Sequence, residues 1–267
     1  MLIDTHAHLT DKVFDADRKE VVGRCAALGV GKIVEIACAP SDWAAGEAFA
    51  AAFPGTVRCA FGVHPEYIKE LPASYLPELE KYLQKSCAAA VGEIGLDYWW
   101  EPKRREEQLE LLAGQLPLCA RFSKPAVFHA RNGKEPAQNA YQELLAVLKH
   151  KWTHSPAGKF RGVLHCFSGA WADASAGLDL GLALGVNGTF TYKKNDDLRN
   201  IVRKAGLDNI VLETDCPYLP PQSARGKRND PTFIPEIAAM VASYLGLGNS
   251  QVADKTTANA FELFGQF

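Results

Sequence analysis

Eight short runs of apolar and β-branched residues recur along the chain, with longer amphipathic stretches between them, and this alternation most constrains the fold. The runs cover residues 2–5, 32–37, 57–63, 88–93, 125–129, 162–165, 182–187 and 210–213. Helical spacing appears over 17–28, 42–52, 103–121, 138–150, 171–180 and 196–205, with a last pair over 234–245 and 250–264. Strands joined through helices lie parallel in one sheet. Eight such units predict an α/β fold, a single (β/α)8 TIM barrel. A doubly wound open sheet is the alternative, but no Gly-x-Gly-x-x-Gly follows the first run. No low-complexity tract or composition break interrupts the 267 residues, and 153–159 reads as a polar connection, so one domain is expected over 1–267.

Composition narrows the setting. With 47% hydrophobic and 22% charged residues the chain can bury a large core, and its net charge of −2 supplies no general attraction for polyanions. A nucleic-acid substrate would therefore need local basic patches. The seven cysteines are odd in number, widely spaced and free of Cys-x-x-Cys pairs, which points to reduced thiols. No basic-then-apolar leader opens the sequence, and no run approaches the roughly 18 apolar residues of a membrane span. The expectation is a cytoplasmic protein.

The polar residues fall at telling places on this frame. His6 and His8 end the first strand two residues apart, hence on one face. His64 follows the third strand, Glu93 ends the fourth, His129 the fifth and His165 the sixth, while Asp215 closes Glu213-Thr214-Asp215 at the end of the eighth. In a barrel all share the carboxyl-terminal rim, where such enzymes keep their sites. Five of the seven histidines are so placed, and His150 and His154 read as surface residues. Four imidazoles (His6, His8, His129, His165) and two carboxylates (Glu93, Asp215) exceed the needs of one metal. They suit two divalent ions bridged by a carboxylate. Glu93, on a middle strand after Gly92, is the natural bridge. The bland alternative is a salt-bridged core carboxylate, which is costly to bury. Asp215 reads as a ligand, as a base for the attacking water, or as both, and Glu213 suits a structural role as well as a functional one.

Longer motifs accompany these residues: Asp4-Thr5-His6-Ala7-His8, Gly62-Val63-His64-Pro65, the segment 91–97, His165-Cys166-Phe167-Ser168-Gly169, Glu213-Thr214-Asp215-Cys216-Pro217, Arg225-Gly226-Lys227-Arg228-Asn229 and Asn259-Ala260. Through them the chain resembles, nearly end to end, the TatD family of metal-dependent deoxyribonucleases within the amidohydrolase-like barrels. The resemblance implies a barrel of the metallo-dependent hydrolase type. It also implies that His6, His8, Glu93 and Asp215 hold one metal and that Glu93, His129 and His165 hold the other. Asn132, Glu66 and Asp230 depart from the family pattern, where an acidic residue, a second histidine and a glutamate are usual. These departures bear on substrate preference.

The expected chemistry is phosphodiester hydrolysis by a water that two divalent ions activate, with Mg2+, Zn2+ or Mn2+ as the candidates. Glu93, Asp215 and His64 are the expected catalytic residues. Asp215 would orient or deprotonate the water, and His64 would contact the phosphate or assist the leaving group, with His165 as a second candidate. Tyr98 and Trp99, with Trp100, would stack bases or cap the mouth. Lys193 and Lys194 after the seventh strand, and Arg225, Lys227 and Arg228 after the eighth, could track a nucleic-acid backbone. DNA is the expected partner, digested as a single strand from its 3′ end, with no obligate protein partner. The alternatives are hydrolysis of a small ester, lactone or cyclic amide, or of an aminoacyl-nucleic-acid ester. A carbamylated lysine bridges the metals of several amide-hydrolysing relatives, and Glu93 stands at that position here.

Overall fold

A computed structural model describes residues 1–153 and 158–267. Eight parallel strands run in sequence order: β1 (Leu2–Ala7), β2 (Val30–Ala37), β3 (Val57–Phe61), β4 (Ala88–Asp97), β5 (Ala126–Arg131), β6 (Gly162–Leu164), β7 (Leu182–Val186) and β8 (Ile210–Leu212). Every run read as a strand is one. The ring closes between β8 and β1, where the Thr5 hydroxyl donates to the Leu212 carbonyl at 3.0 Å and Ala7 bridges Cys216. The fold is the expected α/β barrel.

One apolar residue from each strand faces the axis: Ile3, Val34, Ala60, Ala90, Val127, Val163, Ala183 and Val211. Three alanines among the branched residues fit the narrow interior, and Leu263 and Phe264 pack with the same cluster. The larger cluster, including Trp43, Phe61, Tyr141 and Phe167, lies between sheet and helices. The helices are α1 (Arg18–Ala27), α2 (Pro40–Ala52), α3 (Tyr75–Leu83), α4 (Arg105–Arg121), α5 (Ala140–Lys151), α6 (Trp171–Asp179), α7 (Asp196–Ala205), α8 (Ile234–Leu245) and α9 (Asn249–Phe264). α3 is absent from the sequence expectation, since it is short and carries Pro77 in its first turn.

Strand ends differ from expectation where function is at stake. β4 runs past Glu93 to Asp97, with its register to β5 interrupted between Gly92 and Ile94. Glu93 is thus a mid-strand residue at a bulge, a device that re-aims a side chain. His165 and Glu213 lie just beyond β6 and β8, because Cys166 (φ 47°) and Asp215 (φ 59°) turn the backbone into the left-handed region. His150 is exposed, as expected. His154 and most of the polar connection 153–159 lie outside the described residues. All seven cysteines are free thiols, and no described helix is long and apolar enough to cross a membrane.

Candidate metal centre

The six expected ligands and His64 converge at the carboxyl-terminal end of the barrel. All but His6 line a cavity of about 720 Å3, and His6, wholly buried, lies beneath it. Glu93, 4% exposed, stands at the centre. Its Oε2 lies 3.4 Å from His6 Nε2, and its Oε1 lies 2.9 Å from His129 Nδ1, 3.7 Å from His165 Nε2 and 3.8 Å from His64 Nε2. On one side His6 Nε2 and His8 Nε2 face each other at 3.2 Å, and Asp215 Oδ1 is 3.7 and 3.5 Å from them. The His6 and His165 rings stack with centroids 3.3 Å apart.

Among the described residues three donor groups, each with its ligand atoms within 4.8 Å of one another, emerge: His6 with His8 and Glu93, His6 with His165 and Asp215, and His64 with Glu93 and His129. Glu93 belongs to two of them. The grouping differs from the split that the resemblance implies, since His165 falls with His6 and His64 with His129. The donor chemistry fits divalent cations: buried carboxylate oxygens and imidazole nitrogens, the usual donors to such ions, converge within a few ångströms of one another.

The electrostatics agree. Burial opposes ionisation of Glu93, but the surrounding His165, His6 and His64 hold its carboxyl well below the usual range. Asp215 is likewise lowered, with burial outweighed by His165, His8 and His6. Burial lowers His6, reinforced by its neighbour His165, and burial next to His129 brings His64 down to about 3. His8 is raised, because its contacts with Asp215 and Cys38 outweigh burial. Burial also opposes protonation of His129 and His165, yet carboxylates on both sides raise them to about 10 and about 9. Each proton so retained sits where a cation could replace it.

A second layer orients these groups. Asp97 Oδ2 lies 2.9 Å from His129 Nε2, while its Oδ1 accepts from the Trp99 and Trp100 amides. Glu213, 1% exposed, accepts from the Cys166 amide and lies 3.1 Å from His165 Nδ1, so its place is beneath the imidazole. Asp4 accepts from the His6 and Thr214 amides and from the Thr214 hydroxyl, which ties β1 to the Asp215 turn. Glu35 on β2 accepts from the Leu9 and Thr10 amides and fixes the loop that follows His8. Asp97, Asp4 and Glu35 were missing from the expected site. A lone acid inside an apolar run was the available signal.

The expected substrate contacts scatter. Trp100 lines the cavity and is 59% exposed. Trp99 is exposed on the rim, with the Arg131 guanidinium 5.2 Å and the Lys134 ammonium 5.1 Å from its ring. Tyr98 needs correction: it is 2% exposed and its hydroxyl donates to Glu143, so it offers no stacking face. Lys193, Lys194, Arg225 and Lys227 are exposed, with Arg225 held 4.3 Å from the Tyr192 ring. Arg228 also needs correction, because its guanidinium is engaged by both oxygens of Asp17 and by the Val13 carbonyl. Lys12, Arg131, Tyr67 and Tyr218 line the mouth instead, unsuspected from the sequence.

Comparison with known proteins bears on this site. The family model described as TatD related DNase matches residues 3–265. The chain is 29% identical to the Bacillus subtilis (strain 168) protein named uncharacterized metal-dependent hydrolase YabD, over 99% of each chain. It is 30% identical to the 3'-5' ssDNA/RNA exonuclease TatD of Pantoea vagans (strain C9-1), over 98% of this chain and 99% of that one. The crystal structure of YjjV, a TatD homologue of Escherichia coli K12, superposes with a TM-score of 0.89 at 30% identity, covering 98% of this chain and 97% of the other.

Proposed function

The chain belongs to the TatD related DNase family and is a metal-dependent hydrolase, and from that premise we propose that it hydrolyses phosphodiester bonds of single-stranded DNA from the 3′ end. The observation that carries the proposal is the placement of Glu93, whose two oxygens face two groups of imidazoles. Glu93 would hold two ions at once, with the other ligands divided as the resemblance implies, His6, His8 and Asp215 in one set and His129 and His165 in the other, although His165 stacks on His6 and groups with it and Asp215. What divalent cations supply when bound is charge neutralisation at the phosphoryl oxygens and a lowered pKa for water.

The side chains have distinct tasks in this reading. Asp215, with its lowered pKa, is ionised at neutral pH and in this reading would take the proton of the attacking water. His64 Nδ1 accepts from the Glu66 amide at 3.2 Å, so the neutral ring carries its proton on Nε2, on the Glu93 side. That proton can be donated to a non-bridging phosphate oxygen, which suits substrate contact better than ligation. Trp100 offers an exposed ring at the mouth for the terminal base, and Arg131 a cation beside it. Relatives named 3'-5' ssDNA/RNA exonuclease TatD support the polarity and the single-stranded substrate.

The test is metal-stripped protein resupplied with Mg2+, Mn2+ or Zn2+ and given single-stranded DNA labelled at either end, with Glu93→Ala as control. The expected result is a metal-dependent ladder shortening the 5′-labelled strand, absent in the control. No cleavage with any metal would overturn the proposal in favour of a small ester, lactone or amide substrate.

A further inference from the structure

A second cavity, of about 750 Å3, opens beside the catalytic mouth, between the segment that follows β6 and the start of α7. The two cavities have no lining residue in common but are neighbours along the chain: His165 lines the mouth and Cys166 lines the cleft. The left-handed turn at Cys166 (φ 47°) directs the chain from the catalytic histidine out along the cleft wall. Besides the buried Phe167, the accessible aromatic side chains of its lining are Trp171, half-buried at the start of α6, and Tyr192, half-buried after β7. These two each carry a cation: Lys204 Nζ lies 5.4 Å from the Trp171 ring and the Arg225 guanidinium 4.3 Å from the Tyr192 ring.

The polar groups inside suit an uncharged, planar, hydrogen-bonding ligand. Asn195 spends its side-chain amide N–H on the Thr189 carbonyl, leaving its side-chain Oδ1 without a partner among the described residues. Asn200 accepts from the Tyr244 hydroxyl and keeps its amide N–H groups to donate. The cleft therefore presents both an acceptor and a donor. Asp197 and Lys204 also line it with opposite charges, so the lining gives no net attraction for a phosphate, whereas Lys193, Lys194 and Arg225 lie exposed outside, where a backbone would run.

We propose that this cleft is a base-binding subsite for single-stranded nucleic acid, taking a nucleobase on the 5′ side of the scissile linkage between Trp171 and Tyr192. The inference rests on the nuclease reading above and adds the part of the substrate that determines how long a strand is gripped. Stacking of one base on an aromatic side chain strengthens binding by about tenfold or more.

The test is equilibrium binding, by fluorescence anisotropy, of oligothymidylates of increasing length to the Glu93→Ala chain, alone and combined with Trp171→Ala, Tyr192→Ala or Trp171→Phe. Affinity should rise about tenfold once the strand is long enough to reach the cleft. Trp171→Ala should abolish that rise, Tyr192→Ala reduce it, and Trp171→Phe restore much of it. Thermal melting would show that each variant is folded. A length dependence unchanged in folded Trp171→Ala and Tyr192→Ala, in a chain whose native form cleaves DNA, would overturn the subsite and leave the nuclease reading standing. No cleavage by the native chain and no oligonucleotide binding at any length would overturn both.

Discussion

His129 shows how much one residue here depends on its neighbours. Its two ring nitrogens each lie 2.9 Å from a carboxylate oxygen, Glu93 on one side and Asp97 on the other. Asp97 thus acts as a positioning residue for an imidazole of the site. Asp97→Asn should lower kcat/KM and metal affinity by about 10- to 100-fold, the usual cost of losing a group that orients a ligand. Titration with a metal indicator alongside the kinetics checks this, and unchanged affinity would remove Asp97 from the site. The same geometry has a pH signature in the metal-free chain. Burial opposes the His129 proton, but the two carboxylates raise its pKa to about 10, above the ordinary histidine value of about 6.5. A raised folded pKa contributes stability that is complete below about 6.5 and lost as pH rises toward 10. His64 works on the acid side: lowered to about 3 by burial, it contributes stability present above about 6.5 and lost as pH falls toward 3. Melting temperature should therefore fall on both sides of near-neutral pH, and His129→Asn should make the alkaline limb shallower, with His8 and His165 accounting for the rest. A flat alkaline limb in the native metal-free chain would count against this account.

At the scale of elements, the site depends on how closely β4 lies against β5. A Cβ on Gly95 (φ 153°) would sit 1.9 Å from the His129 carbonyl oxygen, so only glycine permits the pairing that carries Glu93 and His129 side by side. Gly95→Ala should destabilise the protein by at least about 1–3 kcal/mol, as overpacking in a tight interior does. Gly23 in α1 is the control. An added Cβ there meets nothing within 4 Å, and Gly23→Ala should be neutral or stabilising by up to about 1 kcal/mol. Urea midpoints compare the two, and equal effects would refute the close-packing argument. The elements were largely legible. The eight apolar runs marked eight strands because a parallel sheet covered by helices needs continuous apolar runs. The bulge at Glu93 was not legible, because it depends on where β5 lies.

For the whole molecule, a net charge of −2 means that any hold on a nucleic-acid backbone must come from the few cations around the mouth. Each phosphate contacted on a single strand contributes about −0.7 to the slope of log affinity against log salt. Changing Lys193 and Lys194 together to alanine should make that slope shallower by about one unit. Binding of a labelled oligonucleotide to the Glu93→Ala chain across a salt series would show it. An unchanged slope would place the backbone elsewhere, with Lys12 and Arg131 at the mouth as the next candidates.

The sequence by itself determined the strand-and-helix order, the barrel and the residues that gather at its rim. All three follow from local rules: apolar runs form strands, residues two apart share a face, and strand ends in a barrel meet at one end. Only the tertiary structure decided which exposed-looking residues are free to act. Tyr98 and Arg228 read as substrate contacts, yet their partners Glu143 and Asp17 lie 45 and 211 residues away along the chain. The cavity beside Trp171 and Tyr192, and the orienting contacts of Asp97, Glu213 and Glu35, depend likewise on separate elements packing together. A hydrogen bond or a cavity wall is a relation in space between such elements, and residue spacing carries no record of it.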